Sequence, residues 1–248
     1  LFQAPEITTG KSKHIVGGKL WNDAIGPFSK FALQGSYAYH LPLTKTINIG
    51  AGLGFGFSNF AINQDKVILG QANDAIYNQF VGSTSRQNMA DAQAGLVMYS
   101  GKFFFGLSTT QLLKTGIKIN DILTESSLAR HSFLIAKYKL NANDDIAIEP
   151  MTVLKMTKNA PLSADFGVRG YYRNATWIGF QYRTNSNIIF QVGSNLVKNL
   201  YLNYSYEIST GKIRTASNGT HEIQLGIYIG NNKNKNVEDG HKKALEET

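Results

Sequence analysis

The residues best equipped for chemistry in this sequence are few, and the catalytic patterns built from them are incomplete. The run His221-Glu222-Ile223-Gln224-Leu225 begins like a zinc-protease motif but lacks the second histidine that such a motif requires. The adjacent carboxylates Asp144-Asp145 lie among turn-forming residues, where acidic pairs are usually solvated. No Gly-x-Ser-x-Gly motif is present, and the absence of cysteine excludes disulfides and thiol chemistry. The sequence therefore predicts no enzyme, no metal site and no cofactor.

The glycine row from Gly50 to Gly56 could be read as a phosphate-binding loop. Such a loop needs its glycines at a strand-to-helix turn, often followed by Gly-Lys-Ser/Thr. Here glycine recurs at every second residue, and no helical pattern follows. The row instead predicts one face of a β-strand, with bulky groups lying against it inside the protein.

The charge balance does not indicate nucleic-acid binding. The chain has 25 Lys and Arg against 17 Asp and Glu, a formal net charge of +8. A nucleic-acid interface gathers its basic residues on one face, whereas these are spread over turns, strands and the tail. Charged residues make up 17% of the chain, against roughly 25% in soluble domains. Together with 24 Gly, 12 Tyr and 14 Phe, this composition favours strands and the aromatic girdles of a membrane barrel.

The elements that carry the charged residues are β-strands, most clearly in the stretch 187–230. Three consecutive runs there alternate between apolar and polar residues at period two. The apolar positions are Ile188, Phe190 and Val192; then Leu200, Leu202, Tyr204, Tyr206 and Ile208; then Ile223, Leu225, Ile227 and Ile229. Such strands either cover the core of a soluble sheet or face lipid in a membrane barrel.

The lengths of the connections favour the barrel. Every long connection belongs to one alternating set, at 22–29, 61–87, 114–130, 157–162, 185–186 and 209–220. The other set contains only tight turns, at 42–45, 100–101, 141–144, 173–175 and 197–199. Short periplasmic turns and longer external loops are typical of outer-membrane barrels. The predicted fold class is therefore all-β, a transmembrane antiparallel up-and-down β-barrel of 12 strands with both chain ends in the periplasm.

The chain is predicted to have three parts. Residues 1–13 form an irregular lead-in without the apolar core of a signal peptide, residues 14–230 form a single barrel, and residues 231–248 form a polar periplasmic tail. No run approaches the roughly 18 apolar residues of a membrane helix.

An ion pair is predicted on the inner face of the barrel. If Arg173-Asn174-Ala175 is a three-residue turn, Asp165 lies across from Arg183, and Trp177 faces Tyr171. The residues expected to join this pair are Arg169, Glu149 and Glu207. Two roles stay open, bracing the barrel or setting the selectivity of a transport path. Bracing is favoured because side chains usually fill barrel interiors of this size.

Several stretches, taken together and in order, resemble one known family. They are NDAIGPF at Asn22–Phe28, GSYAYHLPL at Gly35–Leu43, GLVMYSGKFFFGLST at Gly95–Thr109, RHSFLIAKY at Arg130–Tyr138, EPMTVLKMTKNAPLSADF at Glu149–Phe166, and SYEIS and SNGTHEIQLGI within Ser205–Ile227. Over about residues 14–230 the chain resembles the PorP/SprF family of outer-membrane proteins, which is associated with type IX secretion in Bacteroidetes. The motif positions singled out are Asn22, Asp23, Gly26, His221 and Glu222.

The resemblance implies a non-enzymatic barrel that takes part in type IX secretion or gliding motility. It implies periplasmic and outer-membrane components of that machinery as partners, including ring and peptidoglycan-binding components, together with membrane lipid and a large secreted adhesin as cargo. The family usually carries an Asn-Pro-Ala-Tyr-like segment and a strand upstream, which implies about 14 strands in the full protein.

Two other functions stay open on the residues alone. One is a channel or transporter for small solutes, with the glycine row as a clear wall; the other is a soluble lectin-like sandwich. In the barrel reading, the loops at 61–87 and 114–130 are expected to contact external cargo, and the tight turns and tail to face the secretion machinery.

Overall fold

The computed structural model describes residues 12–63, 66, 84–113, 116–119, 122–184, 187–197, 200–211 and 219–227. The predictions for the tail at 231–248, for most of the lead-in and for most of the 61–87 loop lie outside these residues. The described elements are strands, with the bounds β1 Lys13–Ile25, β2 Phe28–Pro42, β3 Asn48–Asn63, β4 Thr84–Tyr99, β5 Phe103–Thr110, β6 Gly116–Ile119, β7 Ile122–Ser127, β8 His131–Tyr138, β9 Leu140–Asn141, β10 Ile146–Thr157, β11 Ser163–Tyr172, β12 Thr176–Arg183, β13 Asn187–Val197, β14 Leu200–Ser209 and β15 Thr220–Ile227.

The large sheet is an antiparallel meander. Its path is β1-β2-β3-β4-β5-β8-β10-β11-β12-β13-β14-β15, and β9 pairs beside it with β10. Strands that follow one another along the chain are therefore neighbours in the sheet. Among the described strands, the exceptions are β6 and β7, which form their own sheet, and β9, which pairs with β10 beside the path. This confirms the predicted all-β, antiparallel up-and-down architecture, with 12 strands along the path in the described part of the chain. Strands β1 and β15 are the two ends of that path.

The first hairpin differs from its prediction. The sequence predicted a connection at 22–29 because Asn, Asp, Gly and Pro cluster there. In the structure β1 and β2 stay paired up to Ile25 and Phe28, so only Gly26 and Pro27 connect them. Gly26 adopts a φ of +58°, a left-handed conformation that glycine reaches without steric cost. Cross-strand pairing has therefore overridden the turn propensity of Asn22 and Asp23.

The connection predicted at 114–130 contains structure of its own. Strands β6 and β7 form a separate two-stranded sheet. The hairpin lies between β5 and β8, which pair directly with each other. The sheet continues past this connection, so the hairpin is an addition to the wall rather than part of it.

Pro150 interrupts one ladder in the middle of the sheet. Pairing of β8 with β10 ends at Lys137 and Met151, and it resumes as β9 pairs with β10 at Leu140 and Ile148. Proline has no N–H to donate to a neighbouring strand. Between the two stretches, the backbone N–H of Lys139 donates to the carbonyl of Lys102, the residue before β5, at 2.6 Å.

The sheet has one apolar face that is exposed and one polar face that is sheltered. On β3, Phe57 is 71% exposed, and on β15, Ile223 is 73% exposed. Other exposed apolar residues of the same face, on these and other strands, include Leu33, Leu53, Phe55, Leu96, Phe166, Val168, Ile178, Phe180, Phe190 and Leu225. A continuous apolar outer face of this kind suits contact with lipid tails. The opposite face is called the inner face below.

Polar side chains cover the face of β3 that carries the glycine row from Gly50 to Gly56. A Cβ on Gly50 would lie 2.8 Å from the His40 ring, and a Cβ on Gly54 would lie 2.7 Å from Gln93 Nε2. His40 also contacts the hydroxyl of buried Tyr99 through Nδ1 at 3.1 Å. The inner face at these glycines is thus occupied by side chains of neighbouring strands. The described residues include no helix long and apolar enough to cross a membrane.

Candidate functional site

A charged group occupies the inner face where the five strands from β10 to β14 approach the long connections. Arg183 Nε donates to Asp165 Oδ1 at 3.0 Å, and Arg183 Nη1 donates to Glu207 Oε1 at 3.0 Å. Lys155 Nζ donates to Asp165 Oδ2 at 2.8 Å, and Asn187 donates to the Glu207 carboxylate. These five residues are named the loop-end cluster.

The loop-end cluster is closely paired around its least exposed member. Asp165 is 6% exposed and accepts hydrogen bonds from two different cations. This carboxylate links β10, β11 and β12, and Arg183 extends the link to β14. Hydrogen bonds between charged groups are about twice as strong as those between neutral groups. The arrangement can brace the wall of the sheet.

The turn between β11 and β12 sets the register of this cluster. Arg173 and Asn174 both adopt a φ of +51°. The backbone N–H of Arg173 donates to the Asp145 carbonyl at 2.6 Å, and its Nε lies 3.5 Å from the Asp145 carboxylate. With this turn, Asp165 is directly opposite Arg183, and Tyr171 is opposite Trp177.

A second charged group lies on the inner face nearer the tight turns. Tyr171 is at its centre: its hydroxyl donates to Glu149 at 3.2 Å and accepts from Arg169 at 3.4 Å. Lys137 Nζ lies 3.8 Å from Glu149, and Lys139 Nζ lies 5.1 Å from the centre of the Tyr171 ring. These five residues are named the turn-end cluster.

Polar neighbours hold two cations of the turn-end cluster. Arg169 Nη2 donates to Gln191 Oε1 at 2.9 Å, and Lys139 Nζ donates to Asn174 Oδ1 at 2.7 Å. Trp177, opposite Tyr171, donates through Nε1 to Asn203 Oδ1 at 3.3 Å. Its ring lies over Gly193, where a Cβ would approach to 2.3 Å. The Trp177 ring therefore occupies the space that a side chain at position 193 would need.

The predicted inner-face residues divide between these two clusters. Asp165, Arg183 and Glu207 meet in the loop-end cluster, whereas Arg169 and Glu149 lie in the turn-end cluster. Arg169 is four residues from Asp165 along β11, a separation of about 13 Å in a strand. The sequence predicted one group because all five residues share a face, but sharing a face does not bring side chains together along the strand.

Sequence reasoning did not single out Lys155, Lys137 or Lys139. Lys155 reaches Asp165 diagonally, since Lys155 pairs with Ser163 and Asp165 pairs with Val153. Diagonal neighbours remain within reach of long side chains. The signal that could have found Lys137 and Lys155 is their inward parity on β8 and β10. Lys139 lies between β8 and β9, and strand parity does not identify it.

The family-motif positions lie apart from both clusters. Asn22 and Asp23 are exposed on β1, and Gly26 forms the β1–β2 connection. On β15, His221 accepts or donates a 2.7 Å hydrogen bond with the Tyr204 hydroxyl and stacks on Tyr206, and Glu222 accepts from Gln224 at 2.6 Å. Among the residues that the structure describes, no group of three or more His, Asp or Glu side chains could hold a metal ion.

Comparison with protein families gives one assignment that covers most of the chain. Residues 6–227 match the family model described as Type IX secretion system membrane protein PorP/SprF. No curated protein sequence matches the chain.

Solved structures resemble the chain only at a coarse level. The toluene transporter TbuX of Ralstonia pickettii has 10% sequence identity and a TM-score of 0.44, with 88% of this chain and 77% of that chain covered. For the CymD monoaromatic hydrocarbon channel the identity is 10%, the TM-score 0.48 and the coverage 91% and 81%. The P. putida toluene transporter TodX has 9% identity and a TM-score of 0.42, covering 79% and 71%.

Proposed function

Because the chain belongs to the PorP/SprF family of type IX secretion system membrane proteins, we propose that it acts there as a non-enzymatic adaptor or anchor. In this role the barrel would hold secreted cargo and periplasmic partners at the outer membrane. The observation that carries the proposal is the family match over residues 6–227, nearly the whole chain. The charged inner-face clusters support a role without chemistry, since their cations and carboxylates bond to one another or to neutral side chains.

The outer face supports a location within the bilayer. A membrane segment must satisfy its backbone hydrogen bonds internally and present apolar side chains to lipid. Between β1 and β15 the antiparallel ladders satisfy the first requirement, and the exposed apolar side chains of the large sheet satisfy the second. The protein is an outer-membrane component of the type IX machinery, with lipid as the neighbour of this face.

The two kinds of connection support one orientation of the barrel. The tight turns at 100–102 and 173–175 would face the periplasm, together with both chain ends. The end with the β6–β7 hairpin would face outward, where a large adhesin-like cargo could be met. Periplasmic components of the machinery would then contact the tight turns.

The loop-end cluster would serve this role by bracing the wall beneath the outer connections. Its ion pairs join β10, β11, β12 and β14 at the end from which those connections leave. A wall that is held rigid there positions the connections for a partner. We therefore assign these residues to support rather than to transport.

The test is a crosslinking pull-down from the native outer membrane, comparing the unaltered protein with a variant in which residues 114–128 are replaced by a short Gly/Ser linker. The hairpin is a separate sheet, so the large sheet should fold without it. We expect the unaltered protein to recover components of the secretion machinery and a secreted cargo. The variant should retain the machinery and lose the cargo.

The same preparation separates the adaptor from a channel. Planar bilayers containing the purified protein should show no steady conductance if the inner side chains fill the barrel. Recovery of the barrel without partners, together with steady conductance, would contradict the adaptor role and favour passage of small solutes.

A further inference from the structure

The two inner-face clusters differ in charge balance. The loop-end cluster pairs two cations with two carboxylates. The turn-end cluster sets three cations, Lys137, Lys139 and Arg169, against Glu149 alone, a formal excess of two positive charges. Among the described residues, the ion pair that this cluster contains is long, with Lys137 Nζ 3.8 Å from Glu149.

Arg169 is the cation most in need of a counter-ion. The guanidinium is half-buried, and within the described part of the chain it bonds only to the neutral Tyr171 hydroxyl and Gln191 amide. Its Nε is buried without a hydrogen-bond partner among those residues. A partly desolvated cation without a direct ion pair is costly to keep, and guanidinium matches a carboxylate through two parallel hydrogen bonds.

The side chains around Arg169 prevent a direct ion pair between its guanidinium and the Glu149 carboxylate. Glu149 lies opposite Arg169 on β10, yet its carboxylate accepts from Tyr171, whose hydroxyl stands between the two charges. Gln191 holds the other side of the guanidinium. Lys139 lies over the same tyrosine ring and bonds to a neutral amide.

We propose that the turn-end cluster is an anion site of the barrel interior that binds a carboxylate group, with Arg169 as its principal ligand and Lys137 and Lys139 supplying the remaining positive field. The carboxylate could belong to acidic side chains of a peptide or to a free organic acid. Both would reach the site from the end that carries the tight turns. Binding can be measured on the purified protein, so it is independent of the secretion role.

Trp177 provides a built-in reporter for this site. It lies directly opposite Tyr171, and the chain contains only one other tryptophan, Trp21. In a Trp21→Phe background, the fluorescence of Trp177 should change when the site is filled. The probes are a short Asp-rich peptide, a Lys-rich peptide of equal length, and succinate.

The decisive comparison is Arg169→Gln against Lys155→Gln. Each removes one inner-face cation, but Lys155 belongs to the balanced loop-end cluster. We expect saturable quenching by the Asp-rich peptide, none by the Lys-rich peptide, and a loss of affinity of about tenfold or more in Arg169→Gln, the size expected for one charge-assisted contact. Lys155→Gln should bind like the parent.

Each outcome bears on the proposal. Equal quenching by succinate at matched carboxylate concentration would identify a free organic acid as sufficient, and quenching by the peptide alone would identify a peptide. Absence of saturable binding by either probe, or equal weakening in both variants, would overturn the site. If Arg169→Gln does not fold, Arg169→Lys replaces it. That variant keeps the charge and loses the paired hydrogen bonds, so it should bind more weakly than the parent.

Discussion

At the scale of single residues, the contacts of Asp165 predict a measurable contribution to stability. Asp165→Asn keeps the shape of the side chain but removes the charge that faces Lys155 and Arg183. Because both cations are partly exposed, the expected loss in the free energy of unfolding is about 1–3 kcal/mol, below the cost for a fully buried pair. Urea unfolding of the protein in detergent micelles would measure it.

The matched control for that change is Asp144→Asn. Asp144 is exposed in the turn between β9 and β10, so its replacement should alter stability by less than about 0.5 kcal/mol. Equal effects of the two changes would show that the loop-end cluster does not stabilise the sheet.

Contacts between side chains were predictable from the sequence where the register of two paired strands is enough to bring the residues together. The pairing of Asp165 with Arg183 follows from strand parity and the length of one turn. The division of Arg169 and Glu149 into a second cluster was not predictable, because it depends on how far each side chain reaches along the strand. The alternation of apolar and polar residues also does not predict that the Tyr171 hydroxyl lies between these two charges.

At the scale of the strands, Gly193 should be required because Trp177 lies over it. A Cβ on Gly193 would come within 2.3 Å of the Trp177 ring. Gly193→Ala should therefore displace the ring, break its hydrogen bond to Asn203 and cost about 1–3 kcal/mol, the range for overpacking. In a Trp21→Phe background, the emission maximum of Trp177 should shift as stability falls.

Gly35→Ala provides the comparison for that prediction. Gly35 lies on β2, and a Cβ added there would have no heavy atom within 4 Å. The substitution should leave stability unchanged or raise it slightly by restricting the unfolded chain. If Gly35→Ala were as harmful as Gly193→Ala, contact with Trp177 would not be the reason for the glycine.

The strands themselves were predictable from alternation, but their ends were not. Period two revealed the pairing faces of β13, β14 and β15 because one face is apolar throughout. At Asn22 and Asp23, local turn propensity pointed to a loop, while thirteen residues of cross-strand pairing extend β1 to Ile25. The β6–β7 hairpin was missed because its two strands are short, four and six residues.

At the scale of the whole molecule, the two faces of the sheet should respond oppositely to a new charge. Phe180 points outward on β12, and the next residue, Gln181, points to the inner face. Phe180→Lys should destabilise the protein by about 2–4 kcal/mol if this face meets the lipid midplane. Gln181→Lys should cost much less. Folding yield into lipid vesicles, measured by the shift of the folded band on unheated gels, would compare the two.

The orientation of the barrel can be tested because the chain has no cysteine. Lys158 is exposed in the connection between β10 and β11, and Ala142 is exposed in the tight turn before β10. With tight turns in the periplasm, Lys158→Cys should react in intact cells with a maleimide too large to cross the outer membrane. Ala142→Cys should react only after the membrane is opened. The reverse pattern would place the tight turns and the turn-end cluster on the external side, and an acidic ligand would then reach Arg169 from outside the cell.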